Sequence, residues 1–383
     1  MKRLFSLCLA AALLAPCVSA APAQDTAAAP LDLSAASAVL MEKETGTLLY
    51  EQNAHQKLEP ASVTKIMTLL LIMEAIDSGR ISRDDMVSVS AYASGMGGSQ
   101  VYLKEGEQMS VGELVKCITV VSGNDAAVAM AEYLSGSESA FVTEMNQRAA
   151  QLGMEDTTFV NCTGLPAQGH LTTAYDISLM SRELILNHPP IRDFTTIWMD
   201  SIRDGAFGLT NTNRLVRFYE GATGLKTGST DSALYCMSAT AERNGMELIA
   251  VVMKSPTSAQ RFEDAKTLLD YGFANYALVD VYPEVPLAPV DVLLGTANQV
   301  QPQLSRSCRL LVHKGEEGLI QTQTTLAQNL EAPVEQGQTL GQLEVTVNGE
   351  IRDTIPIVAA QGVERLTIPG IFQRMLRQLV MAQ

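Results

Sequence analysis

Three short clusters combine a hydroxyl with an amine or an amide at spacings that a nucleophilic site can use. In Ser62-Val63-Thr64-Lys65 a lysine follows a serine by three residues. On a helix that spacing turns both side chains the same way. A serine hydroxyl attacks poorly until a base takes its proton. A lysine can be that base when burial or a second cation destabilises its ammonium. Lys65 opens a very apolar run that includes Ile66, Met67, Leu69, Leu70, Ile72, Met73 and Ile76, which favours that shift. The second cluster, Ser122-Gly123-Asn124, can aim a hydroxyl and an amide into a cleft; alone it reads as a helix–turn–helix junction. The third, Lys226-Thr227-Gly228, alone reads as an edge cation and a turn at the start of a predicted strand. Ser122 follows Ser62 by 60 residues and Lys226 follows Ser122 by 104.

The elements that must position these groups are legible in outline. Ala38 to Leu40 and Thr47 to Tyr50 flank Glu44-Thr45-Gly46 as a hairpin. Ser62 to Ser78 reads as a helix buried all round, stopped by Gly79. Ser110-Val111-Gly112-Glu113 matches a capping box and opens a helix to about Val121. Further helices are expected over Asp125 to Leu134, from near Thr172 to just before His188-Pro189-Pro190, and over Ser258 to Tyr271. Tyr235 to Thr240, Leu248 to Met253 and Val101 to Leu103 read as strands. Pro283, Pro286 and Pro289 mark a boundary. Beyond it Arg309 to His313 and Leu343 to Val347 read as strands, and Asn348-Gly349 is a strong hairpin signal. The expected fold class is mixed α and β (α+β), with a larger unit over 34–280 and a smaller β-rich unit over 281–370.

Composition narrows the function. The chain has 383 residues, 46% hydrophobic, with a formal charge of −15. That acidity disfavours a phosphate-binding face, so no nucleic-acid partner is expected. Lys2 and Arg3, the apolar stretch Leu4 to Ala15, and Val18-Ser19-Ala20 describe a secretory signal peptide over 1–20, followed by a flexible leader over 21–33. Ala21-Pro22-Ala23 is a second cleavage option, and Pro16 before Cys17 is a poor fit to lipidation. Cys117, Cys162, Cys236 and Cys308 remain, with no Cys-x-x-Cys pair. Export permits disulfides without requiring them, and the four read as buried free thiols. His55, His170, His188 and His313 lack ligand spacing, so neither a metal site nor a cofactor is expected.

Taken together, Ser-x-x-Lys, Ser-x-Asn and Lys-Thr-Gly in this order form the motif set of β-lactamases and penicillin-binding proteins. The sequence resembles the D-alanyl-D-alanine carboxypeptidases, low-molecular-mass penicillin-binding serine peptidases of the β-lactamase/transpeptidase-like superfamily. Ala61 to Thr68, Met96-Gly97-Gly98-Ser99-Gln100, Ser122 to Ala127 and Arg261 to Lys266 carry the likeness, which covers 34–280 strongly and the β-rich tail more loosely. The resemblance implies Ser62 as the acylated nucleophile, Lys65 as its general base and Ser122 as the relay toward the leaving D-alanine nitrogen. It implies Asn124 on the substrate's peptide amide, and Lys226 beside Ser122, keeping the site electropositive. Thr227 and Ser229 would hold the terminal carboxylate, and the backbone N–H groups of Ser62 and Ser229 would form the oxyanion hole. The implied partners are peptidoglycan stem peptides ending in D-Ala-D-Ala, with β-lactams as covalent inhibitors, outside the cytoplasmic membrane.

Some relatives carry histidine after Lys-Thr-Gly; here it is Ser229, which bears on substrate preference. His170, in a stretch matching the family, reads as structural. Glu183-Leu184-Ile185-Leu186-Asn187 has the letters of the deacylation element of class A β-lactamases but stands too close to Lys226, so Leu184 and Ile185 read as core and Glu183 as solvated. A β-lactamase and a non-catalytic penicillin-binding sensor are the rival readings. At the C-terminus, Ile371, Phe372, Met375, Leu376, Leu379 and Val380 share one half of a helix at about 100° per residue, opposite Arg374 and Arg377. Residues 371–383 therefore read as an amphipathic helix that anchors the protein on anionic lipid, too short to span a bilayer.

Overall fold

The computed structural model describes residues 31–372. The chain divides into two units, Met1–Leu31 and Asp32–Gln383, and the fold is that of the second. The expected signal peptide and nearly all of the C-terminal helix lie outside the described residues.

One antiparallel sheet organises the larger part. Its strands are β1 (Ser37–Glu42), β2 (Leu48–Gln52), β3 (Ala222–Thr230), β4 (Leu234–Arg243) and β5 (Met246–Ser255), in the order β2-β1-β5-β4-β3. The helices are α1 (Lys65–Asp77), α2 (Val111–Val120), α3 (Asn124–Ser135), α4 (Glu138–Gln151), α5 (Ala174–Asn187) and α6 (Ser258–Asn275). Strands β1 and β5 read as continuous apolar runs because both of their faces are covered. Val39, Met41, Ile249, Val251 and Met253 join the core around α1 and α5. The alternate residues Leu40 and Leu248 face α6, where a Cβ on Gly272 would lie 2.9 Å and 2.5 Å from their side chains. Helix α1 is buried on every side from Lys65 to Met73, and a helix with no solvent face needs other elements all round it.

Local signals place most boundaries. Ser110 Oγ accepts the Glu113 N–H at the start of α2, and Thr173 Oγ1 accepts the Asp176 N–H at the start of α5, each satisfying one orphan donor. Gly79 ends α1 at φ +72°. Helix α4 was not expected; its buried residues Phe141, Met145 and Ala149 are four apart, a narrow stripe on a polar helix. Val101 to Leu103 is no strand. Its N–H groups at Val101 and Leu103 donate to the buried carboxylate of Asp125, and a donor spent there is lost to a ladder. Lys226-Thr227-Gly228 lies in the middle of β3 and not at its start; Gly221 and Gly224 had masked the first half of that strand.

The β-rich part begins with β6 (Tyr276–Val281), which pairs with β7 (Cys308–His313). A four-stranded sheet follows, built from Pro302–Leu304, β8 (Ile320–Leu326), β9 (Thr339–Val347) and β10 (Glu350–Ala359). Asn348 and Gly349 turn β9 into β10 with φ of +52° and +82°, the two positive values that a tight hairpin requires. Leu343, Val345, Ile355 and Ile357 pack on Val281 and Cys308. All four described cysteines are buried and free. Burial pushes the Cys117 thiol up to about 12 and that of Cys236 up to about 11, so they are packing groups rather than nucleophiles.

Ile72 has no exposure and touches only core. Ile72→Ala should cost roughly 2–5 kcal/mol, measured by urea unfolding, while activity per folded molecule stays near wild type. A loss below about 1 kcal/mol would show that α1 is less tightly packed than its burial indicates.

Candidate active site

Three chain segments carry the site around Ser62. Ala61–Thr64 is a single 3-10 turn leading into α1, not the α-helical start that the sequence suggested. With three residues per turn, positions 62 and 65 eclipse one another, and Lys65 Nζ lies 3.0 Å from Ser62 Oγ. Ala61 precedes the serine at φ +48°, a left-handed conformation uncommon for a residue with a Cβ. Gly164 fits against it: a Cβ there would fall 1.9 Å from the Ala61 carbonyl oxygen.

Lys65 is fully buried, and its other contacts are Asn124 Oδ1 at 2.6 Å and the Thr163 carbonyl at 2.7 Å. Burial pulls its pKa down to about 7, partly offset by Cys162 and Asp125. A neutral amine has two N–H groups and one lone pair. When the amine is neutral, these two acceptors take its N–H groups and its lone pair is left for the serine hydroxyl. The Thr163 carbonyl is fixed by Asn161, whose Oδ1 accepts N–H groups from Thr163 and Gly164. Neither Asn161 nor Thr163 stood out in the sequence: the active group is a carbonyl, which every residue has, and only Asn161 and Gly164 hinted at a turn.

The second segment turns from α2 into α3. Ser122 sits at φ +64°, 4% exposed, and its Oγ has no hydrogen-bond partner. A buried hydroxyl without a protein partner is costly, and Ser122 Oγ is left available to a molecule entering the site. Asn124 donates from Nδ2 to the Gly97 carbonyl at 2.7 Å, and its N–H bonds to the Ser99 carbonyl. Asp125 pins the same loop through Val101 and Leu103. The glycine-rich Gly95 to Ser99 segment is therefore a rim of the site. Gly98, at φ +78°, would bring a Cβ within 2.7 Å of Asn124 Nδ2.

The third segment is β3. Lys226 is buried and its Nζ donates to the Thr227 carbonyl at 2.8 Å; the structure shows no hydrogen bond from it to Ser122. Its pKa is driven well below the lysine range by burial, then by Lys65 and Arg261. Thr227 Oγ1 donates to Thr212 Oγ1 at 2.7 Å. Ser229 is exposed, next to Tyr235 of β4. Gly228 brings β3 onto the Ser62 turn: a Cβ there would lie 2.8 Å from the Ser62 nitrogen and 2.9 Å from the Pro60 oxygen. Arg261 of α6 supports that strand from behind, donating to the Gly228 carbonyl at 3.2 Å. It is 6% exposed, and burial lowers its pKa to about 10.

The histidine and the decoy carboxylate are settled by their contacts. His170 Nδ1 accepts the Val160 N–H at 3.0 Å, so its proton is on Nε2, 2.8 Å from Thr64 Oγ1. Burial lowers its pKa to about 4, and a neutral ring bracing the turn behind Ser62 is a structural part. Leu184 and Ile185 are core, as expected, but Glu183 is ion-paired rather than solvated: its Oε1 lies 2.5 Å from Arg148, which also holds Glu74. Glu74, Glu183 and His188 are close enough to hold an ion, but the Arg148 guanidinium occupies the two glutamates.

This geometry can do acyl transfer. A half-buried serine faces a buried amine whose pKa burial has lowered to about 7, a second hydroxyl has no protein partner, and Arg261 stands behind β3 as a cation in an acidic protein. Comparison with known proteins agrees. The D-alanyl-D-alanine carboxypeptidase family profile matches residues 23–257, and the profile of the C-terminal domain of penicillin-binding protein 5 matches residues 283–365. The D-alanyl-D-alanine carboxypeptidase DacF of Bacillus subtilis is 41% identical over 372 residues, covering 95% of each chain. The crystal structure of penicillin-binding protein 5 from Haemophilus influenzae superposes with a TM-score of 0.75 at 29% identity, over 88% of this chain and 99% of that one. Penicillin-binding protein D2 from Listeria monocytogenes, in its ampicillin-bound form, is 36% identical with a TM-score of 0.59, covering 64% of this chain and all of its own. The chain belongs to the D-alanyl-D-alanine carboxypeptidase family of penicillin-binding serine peptidases.

Proposed function

We propose that this protein removes the terminal D-alanine from peptidoglycan stem peptides through an acyl-enzyme on Ser62. The observation that carries the reading is the Lys65 amine, held 3.0 Å from Ser62 Oγ with both other contacts on acceptors. In this reading Lys65 takes the Ser62 proton as the oxygen attacks the penultimate D-alanine carbonyl carbon. The oxyanion is met by the backbone N–H groups of Ser62 and Ser229, a term worth about 2.7–4 kcal/mol per donor. As the C–N bond breaks, Ser122 hands a proton to the departing amine and is reprotonated from Lys65. Water then hydrolyses the ester. Asn124 keeps one Nδ2 hydrogen for the substrate's peptide carbonyl. Thr227 and Ser229 hold the terminal carboxylate, drawn there by Lys226 and the neighbouring cations. A penicillin enters the same way and its ring-opened ester stays bound; that a relative has been crystallised in an ampicillin-bound form supports penicillin binding.

The reading extends to the whole chain: a signal peptide over 1–20, a leader over 21–33, a catalytic domain over 34–280, a β-rich domain over 281–370 and a membrane-contacting helix over 371–383. The protein then works in the cell wall space, outside the cytoplasmic membrane. Among the described residues no helix is long and apolar enough to cross a membrane.

A D-Ala-D-Ala-terminated peptide should release free D-alanine with steady turnover. A penicillin should add its full mass, with the label on Ser62, and Ser62→Ala should lose both. A label on another serine would move the nucleophile elsewhere. Because protonated Lys65 cannot accept a proton, kcat/KM for acylation should fall about tenfold per pH unit below about pH 7 and level off above it. A profile flat from pH 5 to 9 would remove Lys65 from the role of base. Gly228→Ala should lower acylation by about 10²–10³, as loss of an oxyanion donor does, because the new methyl must push β3 off the Ser62 turn. Near-normal acylation in that variant would mean the Ser229 N–H is not used.

A further inference from the structure

In the β-rich part, residues 363–366 run beside residues 294–296. Leu366 N–H donates to the Leu294 carbonyl and Thr296 N–H to the Glu364 carbonyl, both at 2.8 Å. Two residues later the chain is helical from 368 to 372. These two adjoining segments expose five large apolar side chains: Leu293 and Leu294 at 52% each, Ile368 at 84%, Ile371 at 42% and Phe372 at 65%. Single exposed apolar residues are ordinary; several around one backbone pairing mark a contact surface.

The local backbone makes the leucine pair unusual. Along Val290–Leu293 burial alternates strictly, with Val290 and Val292 inside. Leu294 should then turn inward, but it takes a left-handed conformation at φ +59° and stays outside. A leucine in the left-handed region is strained, and asparagine or glycine would avoid that strain. The chain thus keeps two adjacent leucines in water at the cost of backbone strain.

The occupant follows from the composition of the segment after Phe372. Residues 373–383 mix apolar side chains with Arg374 and Arg377, and no acid stands between Glu364 and Gln383. Arg365, at the patch, is half-exposed and neutralises Glu331 at 3.0 Å. An apolar patch continued by an apolar and cationic tail fits the surface of an anionic bilayer. We infer that the Leu293–Leu294 loop of the β-rich part enters the lipid surface beside the C-terminal helix, so that this part rests directly on the membrane instead of hanging from a tether. The inference rests on the membrane-contact reading of residues 371–383 and adds a second point of contact, which fixes the orientation of the protein above the lipid.

The test uses the chain without residues 1–20 and vesicles of phosphatidylcholine and phosphatidylglycerol in equal parts. Leu293→Ser with Leu294→Asn should lower the vesicle partition coefficient about tenfold, leaving the melting temperature and the turnover of a soluble peptide unchanged. Asparagine accepts the left-handed backbone, so the fold is kept. Leu293→Trp, in a Trp198→Phe background, should shift its emission to the blue when vesicles are added. Unchanged partitioning of the double variant, with binding abolished by deletion of 371–383, would overturn the loop's role and leave the helical anchor standing. A parent chain that does not bind these vesicles would overturn the membrane reading and the loop's role together. A Leu293→Trp emission that does not move although the protein binds would also overturn the loop contact.

Discussion

Burial of the Lys65 amine is the constraint on which the rest of the structure depends. A lysine in water is an ammonium and cannot act as a base at neutral pH. Here α1 is enclosed on all sides, which removes the water that would stabilise the charge. The site then offers two acceptors and one serine, enough for a neutral amine with its lone pair aimed at Ser62. The apolar enclosure of α1, which looks like ordinary core, is thus part of the chemistry. It has a thermodynamic consequence. With a folded pKa of about 7 against an ordinary 10.5, Lys65 binds fewer protons folded than unfolded between those values, so its contribution to stability rises as pH climbs through that window. Below pH 7 the penalty is complete, of order 5 kcal/mol, and the large shared core around α1 and α5 has to offset it.

The remaining cost lies at neighbouring positions. Ala61 and Ser122 hold left-handed backbones, Lys226 and Arg261 are buried with carbonyls as their hydrogen-bond acceptors, and the Ser122 hydroxyl has no partner. Each is unfavourable alone, and such features persist where the surroundings over-determine them. Gly164 and Gly228 are the devices that do so, because each lets a strand or loop backbone press on the Ser62 turn. The Arg261 cation behind β3 also bears on how a chain of overall charge −15 meets a substrate that ends in a carboxylate: attraction is local and short-range, while the acidic exterior is screened within about 10 Å.

Much of this was legible before any coordinates, for reasons that differ by element. The nucleophile helix and the central strands were readable because full burial leaves uninterrupted apolar runs. The three motifs were readable because side-chain chemistry needs particular residue types. What stayed hidden was supplied by backbone or by long-range partners. Thr163 contributes a carbonyl, Gly228 contributes the absence of a side chain, and Arg261 reaches β3 from a helix more than thirty residues away. Val101 to Leu103 has strand composition, but a carboxylate on α3 takes its N–H groups. Helix α4 shows only three buried residues on a polar helix, too narrow a stripe to stand out. The Glu183 segment imitates a deacylation motif in letters and fails in space, since its carboxylate is committed to Arg148.

That last failure bears on the difference between a peptidase and a penicillin-destroying enzyme. In the mechanism proposed above both would use the Ser62–Lys65 pair, and what separates them is whether a base can activate water against the ester. Here Lys65 is held between Asn124 and Thr163 on one side and Ser62 on the other, so after acylation it is still placed to act near Ser62 Oγ. A departed D-alanine leaves its own volume for water to enter. A ring-opened penicillin keeps its leaving nitrogen tethered to the acyl group, and that fragment stays where the water would have to stand. In that mechanism the same amine would permit turnover of the peptide and leave the drug trapped, without any residue being dedicated to the distinction.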